Sequence, residues 1–343
     1  MKEIRANLVL WIGLCAAAIS AMARANMVAP GIVVPTTQPT ISHVLSAVRF
    51  WIPVGFHTIR DVPYVSHANR SQLLDVYIPD IPTAPRPLMI WIHGGGWSTG
   101  DKSVPPGMGL LPRGYVVASI NYRLSREAVF PAQIYDCKAA IRFLRSHAGQ
   151  FDIDPTRIGV WGCSAGGQLA SLLGTTNGRR EYEGTDRTLG VSSNVQAVCD
   201  WFGPTDFLQW KDLSSAGAIA VNQLLGGIAA NHDAAARFAS PAEQLGYSSL
   251  VPFLIMHGDQ DKIVPLRQSQ IFYERLRSAG APVKLIVLSH TGHGTGWFKS
   301  RDTLGTVYDF FDRCFKNAPI RNMPATRPSS LPLLPSKIAF QPR

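Results

Sequence analysis

The strongest chemical signal in the sequence is a serine flanked by glycines. Ser164 lies in G-C-S-A-G, residues 162–166, a G-x-S-x-G pattern. The apolar run Ile158–Trp161 before it is typical of a strand, and the small residues and Leu169 after it continue in a helix-like pattern. Glycines on both sides permit a sharp turn in which neighbouring backbone comes very close. The pattern predicts a serine hydroxyl held in a strained turn above a sheet, although five residues alone also fit an ordinary Gly/Ser turn.

A serine hydroxyl attacks an ester only when a base takes its proton, and a histidine can do this near neutral pH. The histidine in turn needs a carboxylate to fix its tautomer and stabilise its charged form. His293 follows the last predicted strand, and Asp259 and Asp261 follow the strand before it. Asp259 starts its loop, where Asp commonly bonds backbone N–H groups two residues on. Asp261 lies deeper and can fold back toward the last strand, so we predict Ser164 as the nucleophile, His293 as the base and Asp261 as the carboxylate partner of the base.

A glycine run supplies the remaining component of such a site. The sequence H-G-G-G, residues 93–96, directly follows the buried apolar run 88–92. Backbone N–H groups of a glycine loop can approach the oxyanion of a tetrahedral intermediate because no Cβ blocks the way. We predict an oxyanion hole formed by the N–H groups of Gly95, Gly96 and Ala165. A glycine run standing alone would instead indicate only a tight turn.

Strands that alternate with helices must position these residues. Residues 57–64 and 70–78 predict an antiparallel pair. Buried strands are predicted at 88–92 and 116–120, and further strands at 158–161, 195–201, 253–256 and 283–288. Residues 152–155 read as a turn, and residues 206–245 contain no strand-like run, which predicts a helical cap insertion. The fold class is therefore α/β, a mostly parallel sheet with helices on both faces. Functional groups in such sheets gather at the carboxyl ends of the strands.

Four aromatic residues follow predicted strands at this edge and could line a pocket for an aromatic acyl group or a sugar. They are Trp97, Tyr122, Trp201 and Phe202. An equally good interpretation of each is a core residue at a strand end.

Taken together and in order, these motifs resemble the carbohydrate-esterase branch of the α/β-hydrolases. More narrowly, the chain is similar to the bifunctional feruloyl and acetylxylan esterase-like group, close to the hormone-sensitive-lipase-like esterases. The resemblance runs roughly from Val62 to Phe315 and rests on H-G-G-G-W at 93–97, N-Y-R-L at 121–124, G-C-S-A-G-G at 162–167, W-F-G-P-T-D at 201–206, H-G-D-Q-D at 257–261 and V-P at 264–265.

The resemblance implies a serine esterase that acts through an acyl-enzyme and needs no metal and no cofactor. Its pattern H-G-x-x-D-x-x-V-P falls on Asp261. Cys163 departs from the family, which more often has a second Ser or a similar small residue there; we expect this to matter little. The group includes enzymes for acetyl, feruloyl and other small acyl esters, so membership does not fix the substrate.

Composition restricts the possible partners. The 343 residues are 46% hydrophobic and 16% charged, which permits a substantial core. The net charge of +10 is not concentrated in a dense Lys/Arg run, so nucleic acid is not indicated as a partner. The cysteine spacing matches no zinc pattern, and we predict buried small side chains, with a Cys163–Cys199 disulfide left open.

The ends of the chain differ from its middle. Residues 1–25 predict a secretory signal, with Lys2 and Arg5 before an apolar stretch and A-R-A at 23–25 as a cleavage site. That stretch is too short for a comfortable membrane span, so we expect a secreted or periplasmic protein with no stable membrane span once the signal is removed. Residues 26–56 predict a partly disordered leader, 57–317 the catalytic domain and 318–343 a Pro-rich, disordered tail.

These observations predict an exported carboxylic-ester hydrolase that removes acetyl or feruloyl groups from plant polysaccharide. One alternative is a short-chain carboxylesterase or lipase of the hormone-sensitive-lipase type. Another is a hydrolase-fold binding protein without turnover, which the complete set Ser164, Asp261 and His293 argues against. The substrate is then a small-molecule or polysaccharide ester, and the oligomeric state is left open.

Overall fold

A mostly parallel sheet of eight strands organises the part of the chain that the structure describes. This computed structural model describes residues 55–81, 85–103, 105–185, 190–210, 215–227, 233–246, 250–294 and 296–316, all within one unit, Pro53–Arg343. The predicted signal, nearly all of the predicted leader and the predicted tail lie outside these residues. The strands are β1 (Phe56–Pro63), β2 (Leu73–Pro79), β3 (Arg86–Ile92), β4 (Val116–Ile120), β5 (Ile153–Cys163), β6 (Ala197–Trp201), β7 (Phe253–Gly258) and β8 (Val283–Leu288).

The spatial order of the strands is β1-β2-β4-β3-β5-β6-β7-β8. β1 and β2 form the predicted antiparallel pair, β2 pairs antiparallel with β4, and every other pairing is parallel. The inner strands β3, β4, β6 and β7 are buried along their whole length, as expected for apolar runs covered on both faces. The carboxyl ends of β3 to β8 therefore meet at one edge of the sheet.

The start of β5 differs from the prediction. Residues 152–155 read as a turn, but the strand already begins at Ile153, which pairs with Arg86. The register between β3 and β5 shifts between Arg86 and Leu88. A proline such as Pro155 is tolerated in a strand where the ladder is irregular, and this is why a turn-like sequence can sit inside one.

Helices cover both faces of the sheet. They are α1 (Ala132–Ser146), α2 (Ala165–Thr175), α3 (Ser215–Leu225), α4 (Asp233–Ala239), α5 (Arg267–Ser278) and α6 (Arg301–Phe315), with short 3₁₀ helices at Arg70–Gln72, Pro106–Arg113, Arg180–Tyr182, Pro241–Glu243 and Gly296–Lys299. One apolar cluster joins one face of the sheet to α1, α2 and α5, and a second joins the opposite face to α6. In the predicted cap, 206–245, the described residues form α3, α4 and one 3₁₀ helix.

The four cysteines that the structure describes, at positions 137, 163, 199 and 314, are free thiols, and the Cys163–Cys199 bridge is not formed. The register of β5 and β6 explains this. Cys163 pairs with Trp201, and Cys199 pairs with Trp161. The two cysteines are therefore offset by two residues, about 6 to 7 Å along the strands, on top of the spacing between strands.

Candidate active site

Ser164 occupies a strained turn between β5 and α2. Its φ is 53° and its ψ is −120°, outside the regions that residues with a side chain usually adopt. The turn packs tightly: a Cβ on Gly166 would lie 2.1 Å from the carbonyl oxygen of Ile92, and one on Gly162 would lie 2.0 Å from the oxygen of Gly166. Only glycine fits at these two positions. The Ser164 N–H donates to the Trp201 carbonyl at 2.8 Å, which fixes the turn against β6.

His293 lies between Ser164 and Asp261. Its Nε2 is 2.9 Å from Ser164 Oγ, and its Nδ1 is 2.7 Å from Asp261 Oδ2. Because an ionised carboxylate only accepts hydrogen bonds, Nδ1 carries the proton and Nε2 is free to accept one from the serine hydroxyl. The ring packs edge-on against Phe202 at 4.6 Å between centroids. The structure thus brings together the three residues predicted as nucleophile, base and carboxylate partner, from the ends of β5, β8 and β7 respectively.

Asp261 is held by four donors. Its Oδ1 accepts the N–H groups of Ile263 and Val264, each at 2.9 Å, and its Oδ2 faces His293 and, at 3.2 Å, Nε2 of His257. Burial raises the pKa of the Asp261 carboxyl, but the hydrogen bonds from His257, His293 and the Val264 N–H outweigh it and hold that pKa well below its usual range. The site therefore keeps this carboxylate ionised.

Asp259 takes a different position. It is exposed and accepts only a long hydrogen bond, 3.3 Å, from the Thr291 N–H among the described residues. The bond to a backbone N–H two residues on, predicted for Asp259, is made instead by Asp261 to Ile263. Asp261 can make it and still reach His293, because its second oxygen points across the sheet edge.

The glycine loop after β3 lies beside Ser164. A Cβ on Gly94 would come within 3.2 Å of Ser164 Cβ, so the loop and the elbow are in contact. Gly95 and Gly96 have φ angles of 111° and 56°, and the Gly95 carbonyl accepts the N–H groups of Ser98 and Thr99. No described residue accepts a hydrogen bond from the N–H of Gly95, Gly96 or Ala165. These three donors are thus unengaged, as an oxyanion hole requires. Their catalytic role stays a prediction.

A cavity of about 710 Å³ opens onto Ser164 and His293. Two of the four aromatic residues predicted for a pocket, Trp97 and Phe202, line it. Its other walls come from residues that the sequence analysis did not single out for the pocket, including Trp91, His93, Asp101, Trp210, Ala220 and Ile263. The mostly apolar lining suits an acyl group or a sugar face.

The other two aromatic residues predicted for the pocket do not line this cavity and lie in the core, which is the alternative that the sequence left open for them. Tyr122 is buried beneath the glycine loop, where its hydroxyl donates to the His93 carbonyl at 2.9 Å and its ring stacks on that of His93. Trp201 is buried in the second apolar cluster, edge-on to Trp91 and Trp161. The side chains of both residues point from the strand ends into the core rather than into the cavity, so they pack behind the residues of the site.

Asp200 is a fully buried carboxylate at the end of β6. It accepts the Ser171 hydroxyl from α2 and the N–H of Gly203, both at 2.9 Å. Burial raises its pKa to about 6, against the lowering effect of these two hydrogen bonds and of His257. Asp200 thus joins α2, which begins right after the nucleophile, to the loop that carries Phe202.

Sequence reasoning missed His257, Trp210 and Ala220 as residues of the site. His257 could have been noticed as the first residue of the H-G-D-Q-D motif. Trp210 and Ala220 belong to the 206–245 segment and carry no motif. Ala220 lies over the glycine loop because of how α3 packs, and Trp210 lines the cavity from the segment before α3.

The described residues hold no group of three or more His, Cys, Asp or Glu side chains placed to bind a metal ion. No helix within those residues has the length and apolar character needed to cross a membrane.

Comparison with known proteins agrees with the geometry. Residues 74–276, which include Ser164 and Asp261, match the BD-FAE family. The chain belongs to the BD-FAE family. Esterase LipC of Mycobacterium tuberculosis is 34% identical over 235 residues, 65% of this chain and 57% of LipC. The chain spans little more than half the length of the curated relatives it matches.

Two solved structures are similar to this BD-FAE chain. A truncated form of a carbohydrate esterase from gut microbiota is 33% identical with a TM-score of 0.70, covering 75% of this chain and 95% of that one. A bifunctional GH43-CE protein of Bacteroides eggerthii is also 33% identical with a TM-score of 0.70, covering 75% of this chain and 35% of that one. The fold is that of the α/β-hydrolases, as the sequence predicted.

Proposed function

We propose that this protein is a serine carboxylic-ester hydrolase that acts through an acyl-enzyme. The observation that carries the proposal is His293, which bridges Ser164 Oγ at 2.9 Å and Asp261 Oδ2 at 2.7 Å. Such a chain of hydrogen bonds lets the histidine take the serine proton as the serine attacks the ester carbonyl. The carboxylate stabilises the imidazolium that forms.

The remaining steps follow from the same atoms. The oxyanion of the tetrahedral intermediate is met by the N–H groups of Gly95, Gly96 and Ala165, which no described residue engages. The protonated His293 then gives its proton to the leaving alcohol, and the acyl group stays on Ser164. Water, activated by His293 in the same way, attacks the acyl-enzyme and releases the acid.

The substrate we propose is an acetyl or feruloyl ester of plant polysaccharide. The similar gut-microbiota protein is named a carbohydrate esterase, and the cavity beside Ser164 has the aromatic walls Trp97, Phe202 and Trp210. Aromatic faces suit both a hydroxycinnamoyl ring and a sugar ring. The secretory-signal pattern of residues 1–25 supports export to the periplasm or the medium, where the enzyme would encounter such a polymer.

A second candidate is a short-chain carboxylesterase, which the 34% identity to Esterase LipC favours. A panel of p-nitrophenyl esters from acetyl to palmitoyl, together with methyl ferulate and acetylated xylan, separates the two. Release of acetate from xylan, or of ferulate, at rates comparable to those for p-nitrophenyl acetate supports the polysaccharide substrate. Activity confined to small synthetic esters supports the carboxylesterase, and activity that climbs steadily to palmitate supports a lipase.

Ser164→Ala tests the proposal itself. We expect a loss of kcat on the order of a million-fold with an unchanged melting temperature, since only the attacking oxygen is removed. Labelling of the wild type by a fluorophosphonate, and none of the variant, gives a second readout. Cys163→Ser is the matched control, because it changes the neighbouring side chain and should keep both activity and labelling. Turnover by Ser164→Ala above about a hundredth of wild type would refute the nucleophile, and no labelling of the wild type would favour a binding protein without turnover.

A further inference from the structure

Two histidines, not one, face the same oxygen of Asp261. His293 Nδ1 lies 2.7 Å from Oδ2, and His257 Nε2 lies 3.2 Å from it. His257 is fully buried at the end of β7 and does not line the cavity beside Ser164. It cannot reach a substrate there, so any part it plays in the reaction passes through Asp261.

The surroundings of His257 fix which nitrogen carries its proton. Nε2 lies 2.8 Å from the carbonyl oxygen of Val264, and Nδ1 lies 2.7 Å from the hydroxyl of Ser269 on α5. A carbonyl and a carboxylate both only accept, so Nε2 must bear the hydrogen that it shares between Val264 and Asp261. Nδ1 can then accept from the Ser269 hydroxyl. The hydrogen on Nε2 is thus fixed by two acceptors at that nitrogen, of which the Val264 carbonyl is the closer, while the Ser269 hydroxyl, which can donate or accept, is compatible with this tautomer.

The orientation of the carboxylate is fixed separately. Its Oδ1 accepts two backbone N–H groups, from Ile263 and Val264, which leaves Oδ2 for the two histidines. A carboxylate oxygen that accepts a second hydrogen bond gives up part of its charge to that donor. Asp261 therefore holds the protonated form of His293 less tightly than it would if Oδ2 faced His293 alone.

Among the residues that the structure describes, two further titratable groups are recorded beside His257 and Asp261. From β6, Asp200 lies close enough to interact electrostatically with His257, and from the loop after β8 comes His293. From α5, the group that faces His257 is the uncharged Ser269 hydroxyl. Because the pKa of Asp200 is raised to about 6, its own titration can also change the pH profile, and the experiment has to separate that effect.

We propose that His257 is a positioning residue for the esterase reaction: its Nε2–H holds Asp261 Oδ2 in place and shares its negative charge, which lets His293 lose its proton at lower pH. The proposal rests on the proposed function, in which His293 is the general base. It extends the site by one residue that touches neither Ser164 nor the substrate cavity.

The test is the pH dependence of kcat/KM for p-nitrophenyl acetate. His257→Leu removes the donor. We then expect the rise of kcat/KM on the acidic side of the pH profile (the acidic limb) to shift to higher pH by about half a unit or more, because the imidazolium of His293 persists to higher pH. At neutral pH kcat should fall roughly tenfold to a hundredfold, as for the loss of a hydrogen bond to a charged group, with KM little changed. His257→Gln keeps an N–H near the place of Nε2, so its limb should stay within about 0.2 pH unit of wild type.

Controls separate this from a merely structural role. Ser269→Ala disturbs the same buried site but leaves the donor, so it should lower the melting temperature without moving the limb. If His257→Leu does not fold, His257→Asn takes its place in the test. The asparagine amide is too short to reach Asp261 Oδ2, so this variant should shift the acidic limb in the same direction as His257→Leu. All shifts are measured again in an Asp200→Asn background, where they should persist.

A limb that stays in place or moves to lower pH when the donor is removed would overturn the proposal, and so would a shift in His257→Gln as large as in His257→Leu. The proposed function fails in a different way. It fails if Ser164→Ala still turns over ester, whereas the inference about His257 fails with Ser164-dependent turnover intact.

Discussion

Replacing Asp261 by asparagine should reverse one hydrogen bond in the site rather than simply weaken it. Oδ1 accepts the N–H groups of Ile263 and Val264, so an asparagine must keep its carbonyl oxygen there. Its NH₂ group then takes the place of Oδ2, opposite Nδ1 of His293. An amide nitrogen only donates, so His293 must present an unprotonated Nδ1 and carry its proton on Nε2. In that tautomer it cannot take the proton of Ser164.

The expected loss follows from that exchange. In a serine protease, the same change puts the histidine in the wrong tautomer and lowers kcat about ten-thousandfold. We expect a loss of a thousandfold or more here, equivalent to at least about 4 kcal/mol in the activation free energy. His257 also presents an N–H to the new amide, at a position now occupied by a donor. This adds a stability cost of about 1 to 3 kcal/mol, and rates must be normalised to the folded fraction.

Asp259→Asn is the matched control, because it makes the same chemical change two residues away. Its carboxylate is exposed and accepts one long hydrogen bond from Thr291 among the described residues, so we expect a stability change below about 1 kcal/mol and an activity within about threefold of wild type. Steady-state kinetics with p-nitrophenyl acetate and thermal melts on both variants give the answer. An inactive Asp259→Asn beside an active Asp261→Asn would mean that the wrong carboxylate has been assigned to His293.

Three further predictions concern the surroundings of the site. Ala220 on α3 lies over the glycine loop, with its Cβ 3.2 Å from where a Cβ on Gly96 would be, so Ala220→Leu should lower kcat/KM for methyl ferulate at least about tenfold more than for p-nitrophenyl acetate. Tyr122→Phe removes the hydrogen bond to the His93 carbonyl and should lower the free energy of unfolding, derived from thermal melts, by about 1 kcal/mol without changing KM. A raised KM would instead indicate that Tyr122 contacts the substrate. Burial raises the pKa of Asp200 to about 6, above its unfolded value of about 3.9, so the folded state binds more protons and this group's contribution to stability is lost as pH rises through 6. The whole loss, between about pH 4 and pH 6, amounts to about 3 kcal/mol, of which about 2 kcal/mol falls above pH 4.5. The free energy of unfolding, measured in urea from pH 4.5 to 7.5, should therefore fall less with pH in Asp200→Asn than in wild type, and parallel curves would contradict the shift.

The strands could be predicted where their sequences are continuous apolar runs. β4 and β8 have the bounds that were expected, 116–120 and 283–288; β4 is buried along its whole length, while β8 is a partly buried edge strand whose apolar residues still mark its extent. The start of β5 was missed because Asp152 and Pro155 favour a turn locally, while pairing of Ile153 with Arg86 overrides that preference. Tertiary pairing is invisible to a reading of local patterns.

The arrangement of Ser164, Asp261 and His293 could be anticipated for a topological reason. Parallel strands end at one edge of a sheet, so residues just after β5, β7 and β8 must lie near each other whatever the helices do. The cavity could not be anticipated in the same way. Which residues form its walls depends on how α3 packs over the glycine loop. It also depends on the face of the sheet to which a side chain at a strand end, such as that of Trp201, points.

β6 shows how much of the geometry rests on residues outside the three predicted for chemistry. The Trp201 carbonyl accepts the N–H of Ser164, and the next residue, Phe202, packs its ring on His293. Phe202 has a φ of 45°, a strained value that its N–H bond to the Met256 carbonyl helps to hold. Ser164 and His293 are thus held in position by contacts with two consecutive residues, Trp201 and Phe202, at the end of β6. Substitution of Trp201, whose side chain does not line the cavity, should change the 2.9 Å distance between them without touching the substrate, so it should lower kcat more than it raises KM.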